Sequence, residues 1–163
     1  MKIIGIDPGL NHAGWAILEK LKDGSIKYIN SGVVHTKPSD DITHRLATLF
    51  MSLDNIIIEH QPAIASIEQT FLNSNAKTSL ILGFARGAIL AAIGKNNLNT
   101  LEYAPNAIKK TIVGNGKASK DQVMKMLKYV IPNAIFKSED EADAIAIAYC
   151  GLVYSSLPLH IKR

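Results

Sequence analysis

The sequence predicts an α/β fold: a five-stranded mixed sheet, three antiparallel strands followed by two parallel ones, flanked by helices on both faces. Three observations carry that expectation. Residues 2–36 hold apolar, β-branched runs broken by Pro8-Gly9 and by Lys22-Asp23-Gly24-Ser25, which is turn and hairpin punctuation. From Asp40 the apolar spacing changes to the helical period. Beyond it short apolar runs alternate with longer helical patterns, as they do where parallel strands are joined by crossover helices.

Taken in order, residues 2–7 and 12–20 read as strands on either side of Pro8-Gly9, and residues 26–36 as a third. Ile42, Leu46, Leu49 and Leu53 then fall on one face of a helix, with Asp40 or Asp41 available as its cap. Residues 63–68, a short run after Pro62, have the length of a buried strand, and residues 75–95 read as a helix. Residues 99–103 are the fifth strand, closed by Pro105. A short helix is expected over 121–130, and a last one opens at Ser138, which forms a capping-box pattern with Glu141.

The 163 residues fit one domain over 1–163, and 47% apolar composition allows a core without disulfide or metal staples. The single cysteine, Cys150, excludes an internal disulfide framework and any cysteine zinc cluster, so the cytoplasm is the expected compartment. Met1-Lys2 runs straight into a strand, leaving no room for a signal peptide, and the mature chain is expected to begin at Met1. The apolar stretch 79–94 is short for a membrane span and carries Arg86, so it reads as a core helix. A net charge of +4 favours an anionic partner.

Four acids stand out. Asp7 ends the first strand and Glu68 the fourth; each alone has an ordinary reading as turn chemistry or a solvated strand end. Asp140 and Asp143 lie three apart at the start of the last helix, where the macrodipole already favours acids, and Ser138, Glu139 and Glu141 need no other account. Asp143 does, because it sits among Ala142, Ala144, Ile145, Ala146, Ile147 and Ala148, a segment that must pack closely, and a carboxylate there is costly unless paired or coordinated. If the strands are neighbours and the helix crosses them, these acids converge and repel, and hard divalent cations are the remedy. Mg²⁺ is the leading candidate, with two ions about 4 Å apart able to serve both sides of a phosphodiester.

The segments Ile4-Gly5-Ile6-Asp7-Pro8-Gly9, Ser66-Ile67-Glu68-Gln69-Thr70-Phe71, Val113-Gly114-Asn115-Gly116-Lys117 and Asp140-Glu141-Ala142-Asp143-Ala144-Ile145-Ala146-Ile147-Ala148 resemble, in order and across nearly the whole chain, the RuvC family of bacterial Holliday junction resolvases. The resemblance implies an RNase H-like fold, a homodimer, and metal-dependent paired nicking of four-way junction DNA in recombination and repair, with Mn²⁺ able to substitute for Mg²⁺. It makes Asp7, Glu68, Asp140 and Asp143 the catalytic, metal-binding acids; at the position of Asp140 some members carry histidine. It also implies a branch-migration helicase complex, RuvA and RuvB, as partner. The long apolar helix over 75–95 is the candidate dimer interface.

Lys109, Lys110, Lys117, Lys120, Lys125 and Lys128 face a single acid, Asp121, between Pro105 and Lys128, beside Gly114 and Gly116. Lysine runs on helices are often solvated faces, but this imbalance points to a surface that tracks phosphates, with Lys110 and Lys117 among the DNA-binding residues. By resemblance Lys109 and Lys120 approach the scissile region, and Lys120 steadies developing charge on the phosphate. Phe71 reads either as a helix anchor in the core or, in polar company and by the family pattern, as a base-stacking wedge at the crossover. His12, His35, His44, His60 and His160 show no paired metal spacing, and Trp15, Met51, Met124 and Met126 fit core or helix faces.

Rival classes can be weighed. Sugar-kinase and actin-like ATPases share the Gly-Ile-Asp-x-Gly pattern of the first strand, but they need two lobes, and 163 residues supply one. A ribonuclease H acting on RNA–DNA hybrids would share acids and fold, and is the stronger alternative. A catalytically silent DNA-binding module is disfavoured, because four acids beside a phosphate surface would only weaken binding.

Overall fold

A computed structural model describes residues 1–69 and 75–155. The strands Lys2–Asp7 (β1), His12–Lys20 (β2), Ile26–His35 (β3), Ile64–Glu68 (β4) and Asn99–Tyr103 (β5) form a sheet in the order β3-β2-β1-β4-β5. β1–β2 and β2–β3 are antiparallel, β1–β4 and β4–β5 parallel, as the sequence predicts. The helices are Ile42–His60 (α1), Ala76–Lys95 (α2), Pro105–Val113 (α3), Lys120–Val130 (α4) and Glu139–Ser155 (α5). α3 is the element that the sequence reading lacks. Pro105 there marks only the end of β5, whereas it also starts a helix, a position where its missing N–H leaves nothing unsatisfied. Asp41 occupies the cap of α1 but its side chain makes no capping bond, while Asn75 caps α2 by accepting from the Thr78 amide at 3.2 Å.

Alternation along the strands divides the interior in two. Ile4, Ile6, Ile17 and Ile67 face α1 and α2, where Leu49, Leu53, Ile89 and Ile93 complete one core. Ile3 and Leu18 face α5, with Ile108 and Ile112 of α3 and Val123 and Leu127 of α4 closing the second. α5 lies unusually close to the sheet. A Cβ on Gly5 would stand 2.3 Å from the Ala144 carbonyl oxygen, and one on Gly14 would stand 2.1 Å from that of Asp140. The buried Ser66 hydroxyl donates to the Ile147 carbonyl at 2.9 Å. Glycines on the sheet and alanines on the helix thus set the approach, and they carry the first turn of α5 to the end of β1.

α2 departs from the core helix that the sequence suggests. Its length and hydropathy would suit a membrane span, yet only Ala85, Ile89, Ala92 and Ile93 are buried, and Leu80 and Phe84 are 57% and 45% exposed. Polar ties hold one side to the protein. Arg86 donates to the Glu68 carbonyl at 2.8 Å and pairs with Glu102 at 2.7 Å, and the Lys95 ammonium meets the buried Asp54 carboxylate of α1 at 2.5 Å. Met51 lies on α1 with 54% exposure, on a helix face and outside the core.

Candidate active site

Parallel pairing sets the first two acids side by side. Ile6 is registered with Ile67, so Asp7 and Glu68 end neighbouring strands at the same edge of the sheet. α5 adds the third. Its N-terminus is fixed by the capping box that the sequence indicates: the Ser138 hydroxyl accepts from the Glu141 amide at 3.2 Å, and the Glu141 carboxylate accepts from the Ser138 amide at 3.2 Å. One turn on, Asp143 joins Asp7 and Glu68 in lining a cavity of about 370 Å³. Lys109 and Lys120 line it too, against apolar walls from Ile108, Val123 and Ile147.

Lys109 reaches the cavity from α3, and Lys120 follows the Gly-Asn-Gly-Lys segment that links α3 to α4. Gly114, at φ 81°, ends α3 in a left-handed conformation that a side chain would resist, and Asn115 then accepts from the Lys117 amide at 3.0 Å. Ser119 and Gln122 form a capping box that starts α4, placing Lys120 on its first residue. Lys110 and Lys117 are exposed and lie outside the cavity lining.

The site is short of positive charge. Burial pushes the Asp7 carboxyl up to about 7, the charges of Asp143, Glu68 and Asp140 add to the rise, and Lys120 opposes it. Glu68 is raised by burial and by Asp143, against Lys109 and Lys120. Asp143 is likewise raised by burial and relieved by Lys120, whose ammonium lies 3.4 Å from its carboxylate. Asp140 is not part of the cavity lining; it acts on Asp7 and Asp143 as a neighbouring charge, with its backbone carbonyl seated over Gly14. The sequence-derived set of four therefore divides into three lining acids and one at the margin.

Among the described residues, no three His, Cys, Asp or Glu side chains are drawn around a single point as a finished ligand sphere. The donor chemistry nevertheless fits a hard divalent cation: part-buried oxygen donors, mutually repelling, with burial and the neighbouring acids raising the Asp7 carboxyl. Asp7, Glu68 and Asp143 are the residues that could hold such an ion, with Asp140 beside them.

Sequence reasoning passes over one residue. Glu139 is assigned there to the helix dipole alone, but its carboxylate takes the Lys120 ammonium at 2.9 Å. The signal was its spacing: Glu139 precedes Asp143 by four residues, one helical turn, so both can meet one cation. Phe71 lies outside the described residues. His12 and His35 face each other across β2 and β3 with their Nδ1 atoms 2.9 Å apart, an exposed pair rather than two isolated side chains.

Comparison with known proteins settles the lineage. Residues 3–151 match the family model described as crossover junction endodeoxyribonuclease RuvC. The chain belongs to the RuvC family. It is 48% identical to the RuvC of Rickettsia massiliae over 154 residues, 94% of this chain and 98% of that protein. The structure of RuvC from Thermus thermophilus superposes with a TM-score of 0.86 at 25% identity, covering 95% of each chain. The T. thermophilus RuvC in complex with a Holliday junction substrate gives 0.88 at 24% identity, over 95% of this chain and 94% of that one. The sheet and its helices are those of the RuvC version of the RNase H-like fold.

Proposed function

We infer that this chain is a crossover junction endodeoxyribonuclease that resolves four-way DNA junctions by paired phosphodiester hydrolysis, in recombination and repair. The observation that supports it most is the cavity itself: Asp7, Glu68 and Asp143 facing Lys109 and Lys120, in a chain of the RuvC family. Family membership gives the hybrid-cutting alternative no support.

Asp7, Glu68 and Asp143, with Asp140 at the rim, are the residues that would hold Mg²⁺, two ions per site, and bound there the metal would supply Lewis acidity toward the phosphodiester and activate water. The chain's own residues do the rest. The strand ends and the capped first turn of α5 fix the acids on rigid elements, so their geometry is set before substrate arrives. Lys109 and Lys120 offer positive charge at the cavity wall, where the anionic backbone must lie; Lys120 opposes charge that builds on the reacting phosphate. Lys110 and Lys117, outside the cavity, suit contacts that orient a junction arm. Phe71 is retained as a wedge at the crossover on the strength of the family pattern alone.

Each chain, read as a single nuclease domain over 1–163, carries one such cavity, and a two-fold symmetric junction presents two equivalent strands, so the working unit is a homodimer. The open apolar side of α2, with Leu80 and Phe84, is the surface offered for it. A cytoplasmic setting and a RuvA–RuvB branch-migration partner complete the reading. The test is incision of an immobile four-way junction, a linear duplex and an RNA–DNA hybrid of matched sequence with Mg²⁺. Symmetric nicks in the junction alone are expected; preferential cutting of the hybrid would overturn the assignment.

A further inference from the structure

We propose that Glu139 is a positioning residue for Lys120, holding the ammonium at the rim of the acidic cavity once a divalent cation claims Asp143; the inference rests on the metal-dependent reading above. Lys120 is shared between two carboxylates, Glu139 at 2.9 Å and Asp143 at 3.4 Å. These stand one turn apart on α5, and Lys120 opens α4, so two short stretches of helix meet at one ammonium.

The sharing cannot persist when the site fills. Asp143 lines the cavity with Asp7 and Glu68, and a divalent ion there repels the ammonium from that carboxylate. Glu139 does not line the cavity and stays available as a partner. Lys120 then has somewhere to go that keeps it beside the phosphate. Without Glu139 the lysine has two alternatives: to remain on Asp143 and compete with the ion, or to swing into solvent and be lost to the phosphate. Both harm the reaction, in ways that can be measured separately.

Four proteins decide it: the wild type, Glu139→Ala, Lys120→Ala and the double variant. Mn²⁺ alone is titrated into each with calorimetric detection, and single-turnover cleavage of saturating junction is followed with Mg²⁺. Glu139→Ala is expected to weaken Mn²⁺ binding by up to about fivefold, the upper range of an exposed ion pair. It should also slow cleavage of bound junction severalfold without loss of junction affinity, and Glu139→Asp should restore part of the rate. In the Lys120→Ala background the same substitution should change neither quantity.

An equal loss of Mn²⁺ affinity with and without Lys120 would mean that Glu139 acts as an ordinary nearby charge, and the proposal falls. So it does if Glu139→Ala matches the wild type in both measurements while the wild type binds metal and cuts. If the wild type neither takes up Mn²⁺ nor incises the junction, the metal-dependent reading fails, and this inference with it.

Discussion

Asp7→Asn should make the metal-free protein more stable, and by an amount that depends on pH. In the folded chain burial and three neighbouring acids raise the Asp7 carboxyl from 3.8 to about 7. At about 1.4 kcal/mol for each tenfold change in proton affinity, keeping Asp7 ionised in the fold costs about 4 kcal/mol. Part of that cost belongs to the neighbours, which share protons with it, and the variant also forfeits the attraction of Lys120, leaving a net gain of about 2 kcal/mol. The folded state binds the proton more tightly than the unfolded chain, so the wild type loses stability as pH rises from about 4 to about 7 and stays at the lower level above that window. In chelator at pH 8 the variant should therefore melt about 4–8 °C higher than the wild type, at roughly 2–4 °C per kcal/mol for a domain of this size. Below about pH 3, where Asp7 is protonated in both states, the difference should vanish. Mg²⁺ at pH 8 should raise the wild-type midpoint more than that of the variant, because the variant has lost a ligand charge. Differential scanning calorimetry across pH, with and without Mg²⁺, reads all of this. A variant no more stable at pH 8 than at pH 3, relative to wild type, would show that Asp7 is not in a shared carboxylate cluster.

Gly14→Ala should cost about 1–3 kcal/mol in urea unfolding, since its Cβ meets a backbone carbonyl that can yield only if α5 shifts; a neutral result would mean that the helix is not seated as described. Lys109→Ala should lower the slope of log K against log salt by about 0.9 if it meets a duplex-arm phosphate, and an unchanged slope and cleavage rate would remove it from the interface. Leu80→Lys combined with Phe84→Lys should convert a dimer to a monomer in sedimentation and abolish paired nicking; a dimer that survives would place the interface away from this side of α2.

The three antiparallel strands and the two parallel ones were legible because they follow from local rules, whereas the strand order that makes β1 and β4 neighbours, and so brings Asp7 to Glu68, came only with the fold. Pro8-Gly9 and Asp23-Gly24 set the hairpins, and two acids ending neighbouring parallel strands must lie together. Asp143 could be singled out since a carboxylate among alanines has no other use for its burial. α3 was less visible: nine residues that start with proline and end at glycine carry a short apolar signal, Ile108 and Ile112, easily taken for part of a basic loop. Glu139 was hidden for a different reason. Its sequence context is fully accounted for by the helix dipole, and only the fold brings Lys120, nineteen residues earlier, to its carboxylate. The surplus of apolar surface on α2 was legible and marked it as a candidate interface, but which side stays open was not, until Arg86 and Lys95 are seen pinning the other.

The central claim is that the acid-lined cavity cuts four-way junctions with the help of a divalent metal, and it is tested most directly by one comparison. Wild type and Asp7→Asn are incubated with a labelled immobile junction, binding being read by gel shift and nicking by denaturing gel, with Mg²⁺ or with chelator. The account predicts equal binding by both proteins, symmetric paired nicks from the wild type only when Mg²⁺ is present, and none from the variant. Junction nicking by Asp7→Asn at a rate near wild type, or by the wild type in chelator, would contradict it.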